Sequence, residues 1–251
     1  MVYKRLERNL IQLAIVDSTN DYAANLIKTS EVPSGTTIVT SNQQKGRGQR
    51  SAMWTTEANK NLTFSLIFFS DQKIQKAFYL NIVASLAVFK TLSDLKIDSK
   101  IKWPNDILVR GKKICGILID NTFSGNTIQS SIIGIGLNVN QEDFGELKEA
   151  TSICNEIGQE VEIMDIYEQL FGYLDFYLNL LMESNYKVLL QRYYEHLLGL
   201  NREGEFESNG VKFKGTITGI SEIGLLKIQT QEGTKEFDLK EIRMSYPSNF
   251  F

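Results

Sequence analysis

The chain has 251 residues and a formal net charge of −3, with 42% hydrophobic and 23% charged residues, two cysteines and one histidine. That length suits one sizeable domain with or without a small satellite, and the charge gives no global attraction to nucleic acid, so an anionic ligand needs a local basic cluster. Cys115 and Cys154, far apart in sequence, argue against a disulfide scaffold or thiol metal site, and a lone His196 argues against a Ser-His-Asp triad and most zinc chemistry. No segment reads as a signal peptide or a bilayer span, so a cytoplasmic location without membrane contact is expected.

In chain order, residues 10–16 read as a strand. Ser18, Thr19, Asn20 and Asp21 follow with capping-box spacing, and Tyr22, Ala23, Leu26 and Ile27 give a short amphipathic helix. Residues 37–41 are β-rich. The polar stretch 42–61 is too long for an ordinary connection and is expected to be functional. A strand at 62–69 and a long helix at 74–95 come next. Strands at 101–109, 113–120 and 127–135 follow, with turns at Arg110-Gly111-Lys112 and Ser124-Gly125-Asn126. Residues 163–182 and 186–198 look helical, with Leu170, Leu174, Tyr177 and Leu181 on one face. From residue 201 onward short strands alternate with Gly210, Gly219, Gly224 and Gly233, the spacing of a small β-barrel or SH3-like module. The expected organisation is α+β: a mixed β-sheet with packed helices over 1–200 and a small β domain over 201–251.

Four segments carry chemistry. Residues 43–50, QQKGRGQR, join three cations to two glycines, a composition suited to phosphate oxygens, and Trp54 offers a flat face for a purine. Composition alone fits a solvated basic loop equally well, and the spacing matches neither a Walker loop nor a dinucleotide fingerprint. In KWPNDI, residues 102–107, Pro104 argues against an uninterrupted central strand; Asn105 and Asp106 either project polar groups or merely close a turn. Lys113 either faces solvent or points into a cleft as a fixed charge. Cys115 beside it reads as a small buried residue, because no histidine nearby in sequence activates it. The glycines of GIGLNVN, residues 134–140, mark either a bulge or a flat floor for a ring-shaped apolar ligand. His196 reads as structural.

The order of DSTN, Gln43 with GRGQR and Trp54, KWPNDI with KKICGIL, and GIGLNVN over residues 13–140 closely resembles the biotin–protein ligase family. The β-rich tail is similar to that family's small C-terminal domain. The resemblance implies a core like that of class II aminoacyl-tRNA synthetases and a two-step reaction. Biotin's carboxylate attacks the α-phosphorus of ATP, giving biotinyl-5′-AMP and pyrophosphate. A lysine amine on a biotin carboxyl carrier domain then takes the biotinyl group and releases AMP.

On this resemblance Ser18, Thr19, Asn20, Gln43 and Gly46 bind biotin, and Gly116, Gly134 and Gly136 line its slot. Arg47 and Lys113 meet its carboxylate or the phosphates. Arg47, Gln49, Arg50, Trp54, Lys102, Asn105 and Asn138 contact ATP or the adenylate, with Trp54 stacked on adenine. Asn105 and Asp106 lie near Mg²⁺ and the acceptor lysine. Lys113, Arg47 and Asp106 are the catalytic candidates, the first as a point charge that follows the phosphate oxygens. Asp106 is the candidate base, since an amine of pKa near ~10.4 is neutral only about once in a few thousand at pH 7.

Ser51 and Ala52 stand where the family's commoner loop has a glycine and a polar residue, which implies looser closure; residues 49–53 are expected to order on ligand. With about ten residues before the core, no helix-turn-helix domain and hence no DNA partner is expected; a homodimer is compatible. A lipoate–protein ligase is the nearest alternative, and a non-catalytic biotin or nucleotide sensor the alternative of another class.

Overall fold

A computed structural model describes residues 6–49, 53–245 and 250. Its centre is a seven-stranded sheet in the order β1 (Asn9–Leu13), β2 (Thr36–Thr40), β5 (Asn61–Phe69), β9 (Thr127–Asn138), β8 (Lys112–Ser124), β7 (Asp106–Val109) and β6 (Lys100–Lys102). Only β1 and β2 pair in parallel, which requires a crossover, and α1 (Thr19–Thr29) supplies it. A two-stranded ribbon, β3 (Gly46–Arg47) with β4 (Met53–Trp54), stands apart from the sheet.

The central strands are buried along nearly their whole length because both faces are covered. The face against α2 (Phe78–Asp94) and α4 (Ile163–Met182) holds the main core, including Phe64, Leu66 and Ile135, while α1 packs Ala23 against Ile38, Ile67 and Ile132 on the other. α2 is apolar nearly all round, as a helix wedged between a sheet and other helices must be. The lone histidine ends α5 (Tyr186–His196) and stacks on Phe89 with ring centroids 3.7 Å apart, in keeping with a structural role.

Three differences from the sequence expectations have local causes. The strand expected at 101–109 is a hairpin, because Pro104 has no amide to carry a ladder through and the turn after Lys102 sends β7 back along β6; the Trp103–Pro104 peptide is cis. Residues 14–16 leave the sheet, Val16 keeping a single bridge to Gln43. A short helix, α3 (Ile153–Ile157), forms where none was expected, capped by Ser152 and closed by Gly158 at φ +78°. Arg110 and Gly111, both at positive φ, make the tight turn into β8.

The C-terminal strands β10 (Glu203–Ser208), β11 (Val211–Ile220), β12 (Leu226–Thr230), β13 (Gly233–Phe237) and β14 (Arg243–Ser245) form an antiparallel sheet in the order β13-β12-β11-β10-β14. Among the described residues no ladder joins β13 to β14, so the expected small β module is seen as an antiparallel sheet without closure into a barrel; Phe213 stacks between Phe206 and Phe237. Trp103 donates its indole N–H to the Gly224 carbonyl at 2.9 Å, and the Ile220 amide donates to Tyr194 Oη at 2.9 Å. These bonds bring β14 to the mouth of a cleft over the large sheet. Among the described residues no helix is long and apolar enough to cross a membrane.

Candidate active site

The cleft has a volume of about 440 Å³ and is bounded by the α1 N-terminus, the ribbon β3–β4, the Trp103–Asp106 turn, β8, β9 and β14. Its floor is glycine. Gly116 pairs with Gly136 across β8 and β9, and Gly134 follows on the same face of β9, two residues along. A β-carbon at Gly134 would collide with Asn20 Oδ1 at 2.2 Å, and one at Gly116 would crowd Trp54 Cζ3 at 3.1 Å and Lys113 Nζ at 3.2 Å.

At the Gly134 end sits a polar set. Ser18 caps α1, leaving Thr19 and Asn20 buried at the helix start. The Thr19 amide donates to Gln43 Oε1 at 2.9 Å. Ser65 Oγ, missed from sequence, donates to Asn20 Oδ1 at 2.6 Å, and Asn20 Nδ2 donates to Asp120 Oδ2 at 2.8 Å. A serine inside the apolar strand NLTFSLIFF was the signal for it. Gly46 stands behind this set rather than lining the cleft; a side chain there would strike the Trp54 carbonyl and Gln43 Nε2.

At the Gly116 end Lys113 points into the cleft, which decides between its two sequence readings. Its Nζ lies 2.6 Å from Asp106 Oδ1 and 5.7 Å from the centroid of Trp54. Arg47, Lys102 and Arg243 also line the cleft, and Asp106 is the one carboxylate among its described lining residues. A local cationic site thus exists in a chain of net negative charge, as an anionic ligand requires. Arg243 comes from the C-terminal sheet and had no motif to announce it.

Trp54 lies on the glycine floor itself. A β-carbon at Gly136 would be 2.3 Å from Trp54 Cε2, and the indole Nε1 is buried with no hydrogen-bond partner among the described residues. Gln49 lines the cleft as well, whereas Arg50, Ser51 and Ala52 lie outside the described residues. Asn105 is buried and donates to the Ile117 carbonyl, so its amide satisfies the backbone of β8. Asn138 lines an adjoining pocket of about 300 Å³ together with Phe144 and Leu147, and donates to the Thr151 carbonyl at 2.9 Å. Met53, Trp54, Lys102, Asp106 and Lys113 border both pockets. Burial pushes the Cys115 thiol up, with Lys113 opposing, so it is no nucleophile at neutral pH.

Among the described residues no group of three or more His, Cys, Asp or Glu side chains could hold a metal ion. Asp106 is the carboxylate that this lining offers a cation, so a metal ion here would need most of its ligands from elsewhere.

A model of the biotin/lipoate A/B protein ligase family matches residues 13–138, half of the chain and all of the segments that build this cleft up to Asn138. The chain belongs to that family. It is similar to the bifunctional ligase/repressor BirA of Bacillus spizizenii, 31% identical over 242 residues, covering 94% of this chain and 74% of that one. It is also similar to the biotin–[acetyl-CoA-carboxylase] ligase of Paracoccus denitrificans, 29% identical, covering 92% of this chain and 98% of that one. The biotin protein ligase from Aquifex aeolicus, solved with biotin and ATP, superposes with a TM-score of 0.79 at 28% identity, covering 96% of this chain and 100% of that one. The fold is therefore that of the biotin ligases, and the C-terminal sheet belongs to the shared architecture because the superposition spans both parts.

Proposed function

We propose that this chain is a biotin–protein ligase that activates biotin with ATP and transfers it to a lysine of a biotin carboxyl carrier domain. One observation carries the reading: Asn20 stands over Gly134 and Lys113 over Gly116, so a polar recognition set and a fixed cation bracket one glycine-floored slot. A flat bicycle with a polar ureido edge and a carboxylate on an aliphatic arm matches that order of polar, flat and cationic surfaces.

In the first step an oxygen of the biotin carboxylate bonds to the α-phosphorus of ATP, and the bond to pyrophosphate breaks with its electron pair leaving on pyrophosphate. Two anions must approach, so Lys113 and Arg47 lower the barrier by offsetting charge in a site partly screened from water. Asp106 would be the protein's carboxylate toward a Mg²⁺ ion, which would further neutralise the triphosphate. The adjoining pocket, with Phe144 and Leu147, suits the purine, and Trp54 borders both pockets. In leaving the glycine floor its indole can turn to the base.

In the second step the carrier amine attacks the acyl carbon, the bond to AMP breaks, and the amine gives up a proton. Asp106 is the carboxylate available to take it once its pairing with Lys113 loosens around the phosphates. The two unpaired cysteines and the demand for ATP support a cytoplasmic setting.

The test is pyrophosphate release from ATP with biotin or lipoate as the acid. Release with biotin, and no competition from lipoate, is expected. Release with lipoate alone would move the chain to the other branch of its family, and release with neither would favour a sensor.

A further inference from the structure

Arg47 lines the cleft, but the two carboxylates that hold it do not. Asp21 Oδ1 lies 2.5 Å and Asp120 Oδ2 3.6 Å from the same terminal nitrogen, Nη2, and no described residue pairs with Nη1 or Nε. Asp21 belongs to the first turn of α1 and Asp120 to β8, so two regular elements grip a cation carried by the two-residue strand β3. Asp120 also accepts from Asn20 Nδ2 at 2.8 Å. One carboxylate thus braces two cleft-lining side chains, Arg47 and Asn20, from outside the cleft.

We propose that Asp21 and Asp120 are positioning residues, a carboxylate pair behind the cleft that holds Arg47 with Nη1 and Nε available to the ligand's carboxylate. The inference rests on the ligase reading and adds to it Asp21, which the sequence offered only as part of a helix cap, and Asp120, which no motif carries. An arginine on a short ribbon loses side-chain freedom each time it binds a ligand; anchored from behind, it has lost that freedom already. The alternative effect of the pair has the opposite sign. Two carboxylates beside one guanidinium leave a local excess of negative charge, which by itself repels an anionic ligand, so removing one would tighten binding. The sign of the change therefore separates anchoring from mere charge cancellation.

Both carboxylates are about half exposed, with side-chain exposures of 54% for Asp21 and 43% for Asp120. An exposed ion pair is worth up to about fivefold in an equilibrium. Biotin binding by titration calorimetry, with biotin-dependent pyrophosphate release and thermal midpoints alongside, is the experiment. Asp21→Asn is expected to weaken biotin binding about three- to fivefold and Asp21→Asn/Asp120→Asn about tenfold, with KM for biotin moving more than kcat. In an Arg47→Ala background Asp21→Asn should add less than about twofold, because the interaction partner is gone. Asp21→Glu should recover part of the loss. If Asp21→Asn lowers the thermal midpoint, Asp120→Asn, outside the helix, carries the same expectation. Unchanged or tighter biotin binding in both single variants, or a full effect of Asp21→Asn in the Arg47→Ala background, would overturn the anchor while wild-type activity left the ligase reading standing. Wild-type protein that binds no biotin would overturn both.

Discussion

The indole of Trp54 rests on Gly136 so closely that a β-carbon there would meet its Cε2 at 2.3 Å and its Nε1 at 2.4 Å. A bicyclic ligand on the same floor cannot coexist with it. Biotin binding must therefore move Trp54, and its buried Nε1, unpartnered among the described residues, gains a route to water or ligand as it leaves. Biotin should change the intrinsic fluorescence of the wild-type protein and leave that of Trp54→Phe, which keeps only Trp103, nearly unchanged. An equal response in the two proteins would show that the indole does not leave the floor.

Gly134 faces a neighbour that cannot retreat. Asn20 is 5% exposed and tied to Ser65 and Asp120, yet a β-carbon at Gly134 would lie 2.2 Å from its Oδ1. Gly134→Ala should cost about 1–3 kcal/mol of stability from overpacking. By unseating Asn20 it should weaken biotin binding about ten- to a hundredfold. Calorimetric titration with biotin checks this; full affinity in the folded variant would remove Asn20 from the recognition set.

How much was legible in the sequence depends on the range of the interaction. The cap at Ser18, the helix Ile163–Met182 and the hairpin through Gly125 follow from local spacing, and local spacing is enough for them. The turn at Trp103-Pro104-Asn105 was half legible: Pro104 argued against an uninterrupted strand over 101–109, but a hairpin needed the antiparallel partner strand to be seen. Lys113 could be assigned to the cleft only once β7, paired with β8, brought the Asp106 carboxylate within 2.6 Å of its Nζ. Asp120 and Arg243 carry no motif; they reach the site because β8 extends past the glycine floor and the C-terminal sheet docks through Trp103 and Tyr194. Placement of that kind comes from tertiary packing, which single-sequence periodicity does not encode.

His196 gives a pH prediction with a clean readout because it is the chain's only histidine. Burial against Phe89 holds its pKa below the ordinary 6.5, Glu195 opposing and Lys100 adding to the shift. The folded imidazole is thus harder to protonate than the unfolded one. Above pH 6.5 both states are neutral and stability is full; as pH falls through 6.5 the unfolded chain takes up its proton first and stability declines, levelling once the folded group is protonated too. The single imidazole resonance should titrate below 6.5 by NMR, and His196→Gln should flatten this part of the stability profile. A midpoint at or above the ordinary value would contradict the assignment.

Lys113 bears the central claim, since its Nζ stands beside Asp106, over the glycine floor and at the junction of the two pockets. Its loss should slow adenylation about a hundred- to a thousandfold, the scale of one preorganised electrostatic contact. The most direct measurement is mass spectrometry of a biotin carboxyl carrier domain incubated with the protein, ATP and biotin. One biotinyl group on one carrier lysine is expected with the wild-type chain, and almost none over the same time with Lys113→Ala. A carrier left unmodified by the wild type, or modified equally by Lys113→Ala, would contradict the proposed chemistry.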